Sequence, residues 1–247
     1  SAEGKDLYYF GARHFDPYLD RIISEICHQL GFKGCSTDAG SEFWNNTGVG
    51  TIPHALILSY WAYLKQNNIK LNPTVEVAKL FDKYIKKEVP RIVLVDTFNK
   101  EIDDSLLCAK LLDIDSIRVD TCGENISQGN DIDLPFEMDS PYLKGKGVKI
   151  AGVWALRRAL DENGYRDINI TVSSGFNAEK IKDFIKADKI YNEFYERPLF
   201  DAIGTGSIYN DCVVTTSDIV AYYDNEWKPL SKIGRSEIFT NRLEKIQ

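Results

Sequence analysis

The sequence is poor in cysteine and has no long apolar run. Its 247 residues include five cysteines, none in a C-x-x-C pair, so neither a zinc site nor a disulfide framework is indicated. No apolar stretch is long enough to cross a bilayer, and no signal-peptide pattern is seen. We therefore expect a cytoplasmic protein in a reducing environment, with no membrane partner and no metal site of its own.

Positive charge is outnumbered by negative charge. Lysine and arginine total 30 against 37 aspartates and glutamates, which gives a net charge of −7. Such a balance disfavours nucleic acid and anionic membranes as partners. Anionic small molecules remain compatible with it, because backbone N–H groups and a few arginines bind anions locally. The length suits one large α/β domain or one and a half smaller ones.

Strands and helices alternate in the second half of the chain. Predicted strands at 91–95, 116–119, 168–172 and 200–203 each end in a polar or glycine-rich group. Alternation implies parallel strands, whose carboxyl ends meet at one rim. We predict an α/β fold, an irregular TIM-like barrel over residues 11–210. Residues 1–10 and 211–247 are assigned to a second, incomplete mixed α+β domain.

Two turns at the last two predicted strands are rich in small residues. They consist of Ser173, Ser174 and Gly175, and of Gly204, Thr205, Gly206 and Ser207. Either turn alone is equally well explained as a tight connection. In a parallel barrel, however, phosphate binds at the last two strand–helix loops. Two such turns in succession therefore favour a phosphate site made of backbone N–H groups.

A histidine stands at the start of a predicted helix. Gly48 and Gly50 precede Pro53 and His54, and helix-compatible residues continue to Gln66. A helix start favours an anion. His54 there is suited to be a proton carrier, a metal ligand, a phosphate contact or a phosphate acceptor, and a core histidine is the structural alternative. The glycine-rich approach favours a functional role.

Charged side chains accompany the other predicted rim segments. Arg13 precedes a helix opened by Asp16 and Pro17, where it is either a surface ion pair or part of an anion clamp. Asp96 follows a strand and is equally suited to cap the next helix. Arg118 and Asp120 are two residues apart, so a strand places them on one side. That pairing is best explained by a ligand with an anionic group and hydroxyls.

These segments, in this order, resemble the nicotinate phosphoribosyltransferases. The family pattern runs FG-x-R-(R/H), G-T-(M/I)-(A/P)-H, D-T-(Y/F), R-x-D-(S/T), S-(G/S)-G and G-x-G-(T/S). The matching segments are Phe10–His14, Gly50–His54, Asp96–Phe98, Arg118–Thr121, Ser173–Gly175 and Gly204–Ser207. Six motifs in order are specific, although each is short. The resemblance implies the type II phosphoribosyltransferase barrel, with most of the family's N-terminal domain missing here.

The resemblance also implies an activity in NAD biosynthesis or salvage. Nicotinate and 5-phosphoribosyl pyrophosphate (PRPP) would give nicotinate mononucleotide and pyrophosphate, with ATP as co-substrate and Mg²⁺ bound with PRPP and ATP. Family roles carried to this chain make His54 the phosphorylated residue and Arg13 a pyrophosphate contact. Arg118 would contact the nicotinate carboxylate or ring, and the two small-residue turns would bind the 5′-phosphate. The remaining assignments are ribose or Mg²⁺ contacts at Asp120 and Asp96, and substrate contacts at Thr37 and Thr121.

Several alternatives stay open at this point. A related transferase acting on nicotinamide or quinolinate would share most of these motifs. Nicotinamide offers Arg118 no carboxylate, and quinolinate calls for a larger basic cluster than the motifs contain. A truncated, non-catalytic subunit is the alternative from a different class. The family's site is completed by its N-terminal segment across a homodimer, so we expect a homodimer or higher oligomer.

Overall fold

One parallel sheet organises the molecule. The computed structural model describes residues 2–206 and 217–235. The strands are β1 (Asp6–Tyr9), β2 (Gly34–Cys35), β3 (Ile92–Leu94), β4 (Ser116–Val119), β5 (Asn169–Val172), β6 (Ala202–Thr205), β7 (Ala221–Asp224) and β8 (Glu226–Pro229). The helices are α1 (Pro17–Gln29), α2 (Asp38–Ser41), α3 (His54–Gln66), α4 (Pro73–Tyr84), α5 (Glu101–Leu111), α6 (Ile150–Glu162) and α7 (Ala178–Tyr195), with a 3₁₀ turn at Glu42–Trp44.

The first six strands form a curled half-barrel in the order β2-β1-β6-β5-β4-β3. Every neighbouring pair in it is parallel. The predicted α/β fold with parallel strands is therefore confirmed. All six carboxyl ends lie at one rim, and the loops that follow them can share a site.

The first strand lies inside this sheet and not in a second domain. Asp6 to Tyr9 pair in register with Ala202 to Thr205 of β6, and β1 also pairs with β2. Assigning residues 1–10 to another domain was therefore wrong for β1. The reason is that parallel partners can be far apart in sequence, so a strand at one end of the chain can pair with the last barrel strand. The β7–β8 hairpin forms a separate two-stranded antiparallel sheet.

Three helices begin with a side-chain cap, and the one at Asp16 was predicted from the sequence. The side chains of Asp16, Asn72 and Asn177 accept hydrogen bonds from backbone N–H groups in the first turns of α1, α4 and α7. Each cap satisfies donors that the helix itself leaves unpaired. The helix α3 begins at His54, as the sequence predicted, with Pro53 as its N-cap residue.

A large apolar core lies between the sheet and its helices. Aromatic rings are among its largest fully buried side chains, and the ring centroids of Trp154 and Tyr191 are 4.6 Å apart, edge to face. The helix α1 packs instead on a small cluster through Ile23 and Cys27. Its other apolar positions, among them Ile22 and Ile26, remain partly exposed, so only part of its apolar surface is buried.

The strand β6 ends later than predicted. It runs to Thr205 and so includes Gly204 and Thr205, which the sequence assigns to the following turn. Between β4 and α6, residues 120–149 contain no helix or strand. Among the described residues, no helix has the length and apolar character that a membrane span requires.

Candidate active site

A cavity of about 430 Å³ lies at the rim formed by the carboxyl ends of the strands. Loops from widely separated parts of the chain line it. The lining includes Phe10, Arg13, His14, Thr51, His54, Arg118, Asp120, Cys122, Ser173, Ser174, Gly175, Gly204, Gly206, Asp218, Lys232 and Arg235. The predicted site residues His54, Asp120 and Arg13 therefore share one cavity with both small-residue turns.

His54 is held by hydrogen bonds at both ring nitrogens. Its Nδ1 lies 2.9 Å from Oγ1 of Thr97, and its Nε2 lies 2.8 Å from Nζ of Lys232. An ammonium group can only donate, so Nε2 accepts and the ring proton resides on Nδ1, which donates to the Thr97 hydroxyl. This arrangement requires the tautomer with its proton on Nδ1, and Nε2 also lies 3.5 Å from Oδ2 of Asp96 and 3.6 Å from Oδ2 of Asp120. The Nε2 lone pair is directed toward a cation at the cavity.

Lys232 links the histidine to two aspartates. Its Nζ lies 2.5 Å from Oδ2 of Asp96 and donates to the backbone oxygen of Asp120 at 2.9 Å. The Asp96 side chain is completely buried and that of Lys232 is 8% exposed. A charge buried this deeply requires a partner. Lys232 supplies it, so Asp96 acts behind the cavity wall and not in the lining.

Arg118 is fixed by side chains from three other segments. Its Nε donates to Oγ of Ser173 at 3.0 Å, and Nη1 donates to Oγ1 of Thr51 at 2.8 Å. The guanidinium also lies 5.0 Å from the centroid of the Phe10 ring. Nη2 is 3.5 Å from Oδ2 of Asp120. The predicted pairing of residues 118 and 120 on one side of the strand is therefore confirmed, and the planar cation is oriented before any ligand binds.

Asp120 is held as a carboxylate. Burial by itself would raise its pKa, but the Arg118 guanidinium opposes this, together with the His54 ring 3.6 Å away, Lys232 and a 2.7 Å hydrogen bond from the Ser173 hydroxyl. The pKa of Asp120 therefore lies well below its usual range. A permanently ionised carboxylate can accept hydrogen bonds from hydroxyl groups and stabilise nearby positive charge.

The first small-residue turn bends the backbone sharply. Ser174 and Gly175 have φ values of 78° and 64°, in the left-handed region that ordinary side chains avoid. Among the described residues, no acceptor receives the backbone N–H of either one. Both residues line the cavity, so their N–H groups are available to an anion there.

The second turn is confined by its neighbours. A Cβ atom on Gly204 would lie 2.1 Å from the Phe10 ring, and one on Gly206 would lie 2.3 Å from the Phe10 backbone oxygen. Glycine is thus needed at both positions for close packing. The predicted Ser207 lies outside the described residues.

Other predicted side chains lie away from the cavity lining. Thr37 caps α2 and donates to Asp20 at 2.6 Å. Thr121 donates to Glu101 at 2.9 Å, and both are buried. Thr205 donates to the backbone oxygen of Phe176 at 2.6 Å. These three hydroxyls have intramolecular partners, so any role they have in the site is indirect as the structure stands.

The basic character of the cavity exceeds what the motifs contained. Arg13 is exposed at the rim, and no described carboxylate lies within ion-pair distance of it. Arg235 lies 3.1 Å from Glu124. Lys232 and Arg235 were missed because no spacing rule connects a segment after the β7–β8 hairpin with a barrel rim. Within residues 2–206 and 217–235, no group of three or more His, Cys, Asp and Glu side chains is arranged to hold a metal ion.

The curled parallel sheet with a cavity at its carboxyl rim is the fold of the type II phosphoribosyltransferases. The chain is similar to the crystal structure of nicotinate-nucleotide pyrophosphorylase from Pyrococcus furiosus, with 28% identity and a TM-score of 0.59. The similarity covers 95% of this chain and 50% of that one, so the chain spans about half the length of that protein. No family model and no curated protein matches the sequence.

Proposed function

We propose that the chain carries the catalytic site of a phosphoribosyltransferase of NAD metabolism that converts nicotinate and PRPP into nicotinate mononucleotide and pyrophosphate. The observation that supports it most is one cavity lined by His54, Asp120, Arg118 and two turns suited to phosphate. The similarity to a nicotinate-nucleotide pyrophosphorylase supports the same reaction class. Because the chain spans only about half of that protein, the similarity alone does not establish the activity for this chain.

Each part of PRPP and nicotinate has a counterpart in the cavity. The 5′-phosphate is assigned to the N–H groups around Ser174, Gly175 and Gly206. The ribose hydroxyls are assigned to the Asp120 carboxylate. Pyrophosphate lies toward Arg13, which no described carboxylate neutralises. The pyridine carboxylate is assigned to the guanidinium of Arg118, because a planar cation matches a carboxylate in a bidentate geometry.

The reaction breaks the bond between ribose C1 and pyrophosphate and forms a bond from C1 to the pyridine nitrogen. Positive charge develops on the ribose and negative charge on the leaving group. The low pKa of Asp120 keeps a carboxylate available beside the ribose at all physiological pH values. Arg13 stabilises the leaving pyrophosphate. Charges already in place at the transition state are the most effective form of electrostatic catalysis.

Magnesium fits this site only as an ion that arrives with the phosphates. Asp120 lines the cavity, whereas Asp96 is buried and paired with Lys232. Mg²⁺ in phosphoryl-substrate sites is commonly held by one or two carboxylates, water and the substrate phosphates. Asp120 would be the protein ligand. The ion would neutralise pyrophosphate charge when bound.

His54 is proposed to accept the γ-phosphoryl group of ATP at Nε2, with release of ADP. The neutral tautomer places a lone pair on Nε2, as an attacking nitrogen requires. The Lys232 ammonium, which donates to Nε2 in the structure, would then contact the phosphoryl oxygens instead. The dianion formed would lie close to the ribose and favour the developing positive charge. We also propose that the chain acts in the cytoplasm as a homodimer or higher oligomer, which light scattering of the purified chain would test.

The substrate is tested by product formation. The purified chain is incubated with PRPP, Mg²⁺, ATP and labelled nicotinate, and nicotinate mononucleotide is measured. Parallel reactions contain nicotinamide or quinolinate. Quinolinate is the more important alternative substrate to test, because Lys232 and Arg235 enlarge the basic cluster beyond Arg13 and Arg118. If quinolinate reacted faster than nicotinate, quinolinate and not nicotinate would be the substrate. If none of the three compounds reacted, the proposed function would be rejected.

The role of His54 is tested by His54→Ala with His28→Asn as the matched control. His28 is exposed on α1 and does not line the cavity. We expect His54→Ala to lose the stimulation by ATP and to keep slow turnover without ATP. We expect His28→Asn to behave like the parent. If ATP still stimulated His54→Ala to the same extent, His54 would not be the phosphoryl acceptor, but the proposed transferase activity would still stand.

A further inference from the structure

A buried lysine lies directly behind the first phosphate turn. Lys180 is the third residue of α7 and is only 5% exposed. Its Nζ donates to the backbone oxygen of Ser174 at 2.9 Å. It also lies 4.2 Å from the ring centroid of Phe176 and 5.7 Å from that of Phe184. A buried ammonium with one carbonyl and two rings as its neighbours is costly, and nothing in the proposed reaction so far uses it.

The carbonyl that Lys180 holds belongs to the peptide unit that carries the N–H of Gly175. A peptide group is planar and trans, so its carbonyl and its N–H point in opposite directions. Since the Ser174 oxygen points to the buried ammonium, the Gly175 N–H points away from it. Gly175 lines the cavity, and a Cβ atom on it would meet nothing within 4 Å, so the space beside its Cα is open.

The conformation at this turn needs support. Ser174 is not a glycine, yet its φ is 78°, a conformation that is strained for a residue with a side chain. Among the described residues, no acceptor receives the N–H of Ser174 or Gly175. The contact with Lys180 therefore supports a strained turn whose free donors face the cavity.

We propose that Lys180 is a positioning residue that locks the Ser174–Gly175 peptide with its N–H toward the cavity and so prepares it for the 5′-phosphate of the substrate. This inference rests on the proposed function, because it assigns the phosphate to this turn. Lys180 acts through the peptide and has no contact with the phosphate. Its positive charge also adds to the attraction of the turn for an anion.

The environment of Lys180 makes phosphate binding depend on pH. Burial, and to a smaller extent the charge of nearby Lys149, lower the pKa of its ammonium to about 7, while Asp120 opposes the shift. Among the described residues, the Ser174 carbonyl oxygen and the Phe176 and Phe184 rings also lie beside Nζ. A phosphate on the turn favours the charged lysine, so binding near pH 7 should take up a proton. Above that pH the free protein holds a neutral amine, and affinity should fall.

Calorimetric titration with ribose 5-phosphate tests the proposal on the full chain. We expect Lys180→Met to weaken binding about ten-fold, the usual scale for losing a charge-assisted hydrogen bond, and Lys180→Arg to recover part of it. Lys182→Met is the control, since Lys182 is exposed on the same helix. Between pH 6 and pH 8.5, affinity of the parent should fall more steeply than that of Lys180→Met. Phosphate itself titrates in both proteins, so the difference reports Lys180.

Three outcomes have separate meanings. Weakened binding in folded Lys180→Met, with the pH dependence reduced and proton uptake lost in buffers of different ionisation enthalpy, supports the proposal. Equal affinity and equal pH dependence in the parent and Lys180→Met would overturn it. If the parent fails to bind ribose 5-phosphate while the chain is folded, the proposed function fails first, and the phosphate assignment of this turn fails with it. Thermal unfolding of each variant shows whether it is folded.

Discussion

Nζ of Lys232 lies 2.8 Å from Nε2 of His54, across 178 residues of chain. The same ammonium is 2.5 Å from the buried Asp96 carboxylate. This single cation fixes the tautomer of the histidine and neutralises an aspartate behind the cavity. The hairpin segment at the end of the described chain is therefore part of the site and not an appendage to the barrel.

Replacing Lys232 should cost stability as well as activity. Lys232→Met leaves Asp96, which has no exposed side-chain surface, without its counter-charge. Breaking a buried ion pair by removing one partner typically costs about 3–5 kcal/mol. We expect a loss of that order in urea unfolding. Lys228→Met, which removes a partly exposed lysine paired with Asp224, should cost less than about 1 kcal/mol.

The double variant Lys232→Met with Asp96→Asn separates the causes. If the cost comes from an unpaired buried charge, removing that charge should restore much of the stability of the single variant. A double variant as unstable as the sum of the two single ones would show that the pair is not energetically coupled.

Asp120 should contribute to stability in a pH-dependent way. Its folded-state pKa is depressed, chiefly because Arg118 outweighs the effect of burial. For such a group the stabilisation is present above the unfolded-state pKa, about 4, and is lost as the pH falls toward the folded-state value. The difference in unfolding free energy between the parent and Asp120→Asn should therefore shrink as the pH falls from 6 to about 3. Urea unfolding at several pH values measures it.

A control for this experiment is Asp133→Asn, since the Asp133 side chain is fully exposed beside Lys144. Its difference from the parent should stay small and nearly constant with pH. A constant difference for Asp120→Asn over the same range would contradict the assigned ionisation of Asp120.

The sequence was sufficient to predict the strands β3 to β6 and much of the rim. Alternating segments located these strands and the cap at Asp16 located a helix, because capping and periodicity are local properties. Arg118 and Asp120 were paired correctly, since strand geometry alone puts them on one side. The parallel direction of the strands followed from the same alternation.

What the sequence did not reveal depends on contacts between distant segments. The pairing of β1 with β6 and the position of Lys232 at His54 have no local signal. Thr37 and Thr121 lie near rim segments in sequence, yet their hydroxyls are directed to Asp20 and Glu101. Side-chain direction at a loop is set by packing, which residue spacing does not encode.

The glycines of the second turn should resist the smallest enlargement. An added Cβ at Gly204 or Gly206 would lie within 2.5 Å of Phe10 or His14 atoms. Overpacking of this kind typically costs about 1–3 kcal/mol. We expect such losses for Gly204→Ala and Gly206→Ala in urea unfolding. Gly50→Ala, where a Cβ would meet nothing within 4 Å, should be nearly neutral, and equal costs at all three positions would contradict the close packing of the turn.

Arg118→Lys should damage recognition of the carboxylate more than folding. The guanidinium donates to Ser173 and Thr51 and still faces the cavity, and a single ammonium cannot reproduce that planar fork. Losing a charge-assisted contact of about 2–3 kcal/mol corresponds to a fall of roughly 30- to 150-fold in kcat/KM for nicotinate. Because nicotinamide has no carboxylate, its much slower reaction should change little, so the preference for nicotinate should fall by nearly the same factor.

The matched control is Arg166→Lys, an exposed arginine that does not line the cavity, and it should behave like the parent. Thr51→Val tests the support of Arg118 separately, since it removes one acceptor from the guanidinium and keeps the cation. A loss of about 1 kcal/mol, near five-fold in kcat/KM, is expected for it. If Arg118→Lys slowed nicotinate and nicotinamide by the same factor, Arg118 would act on the ribose or on Asp120 and not on the carboxylate.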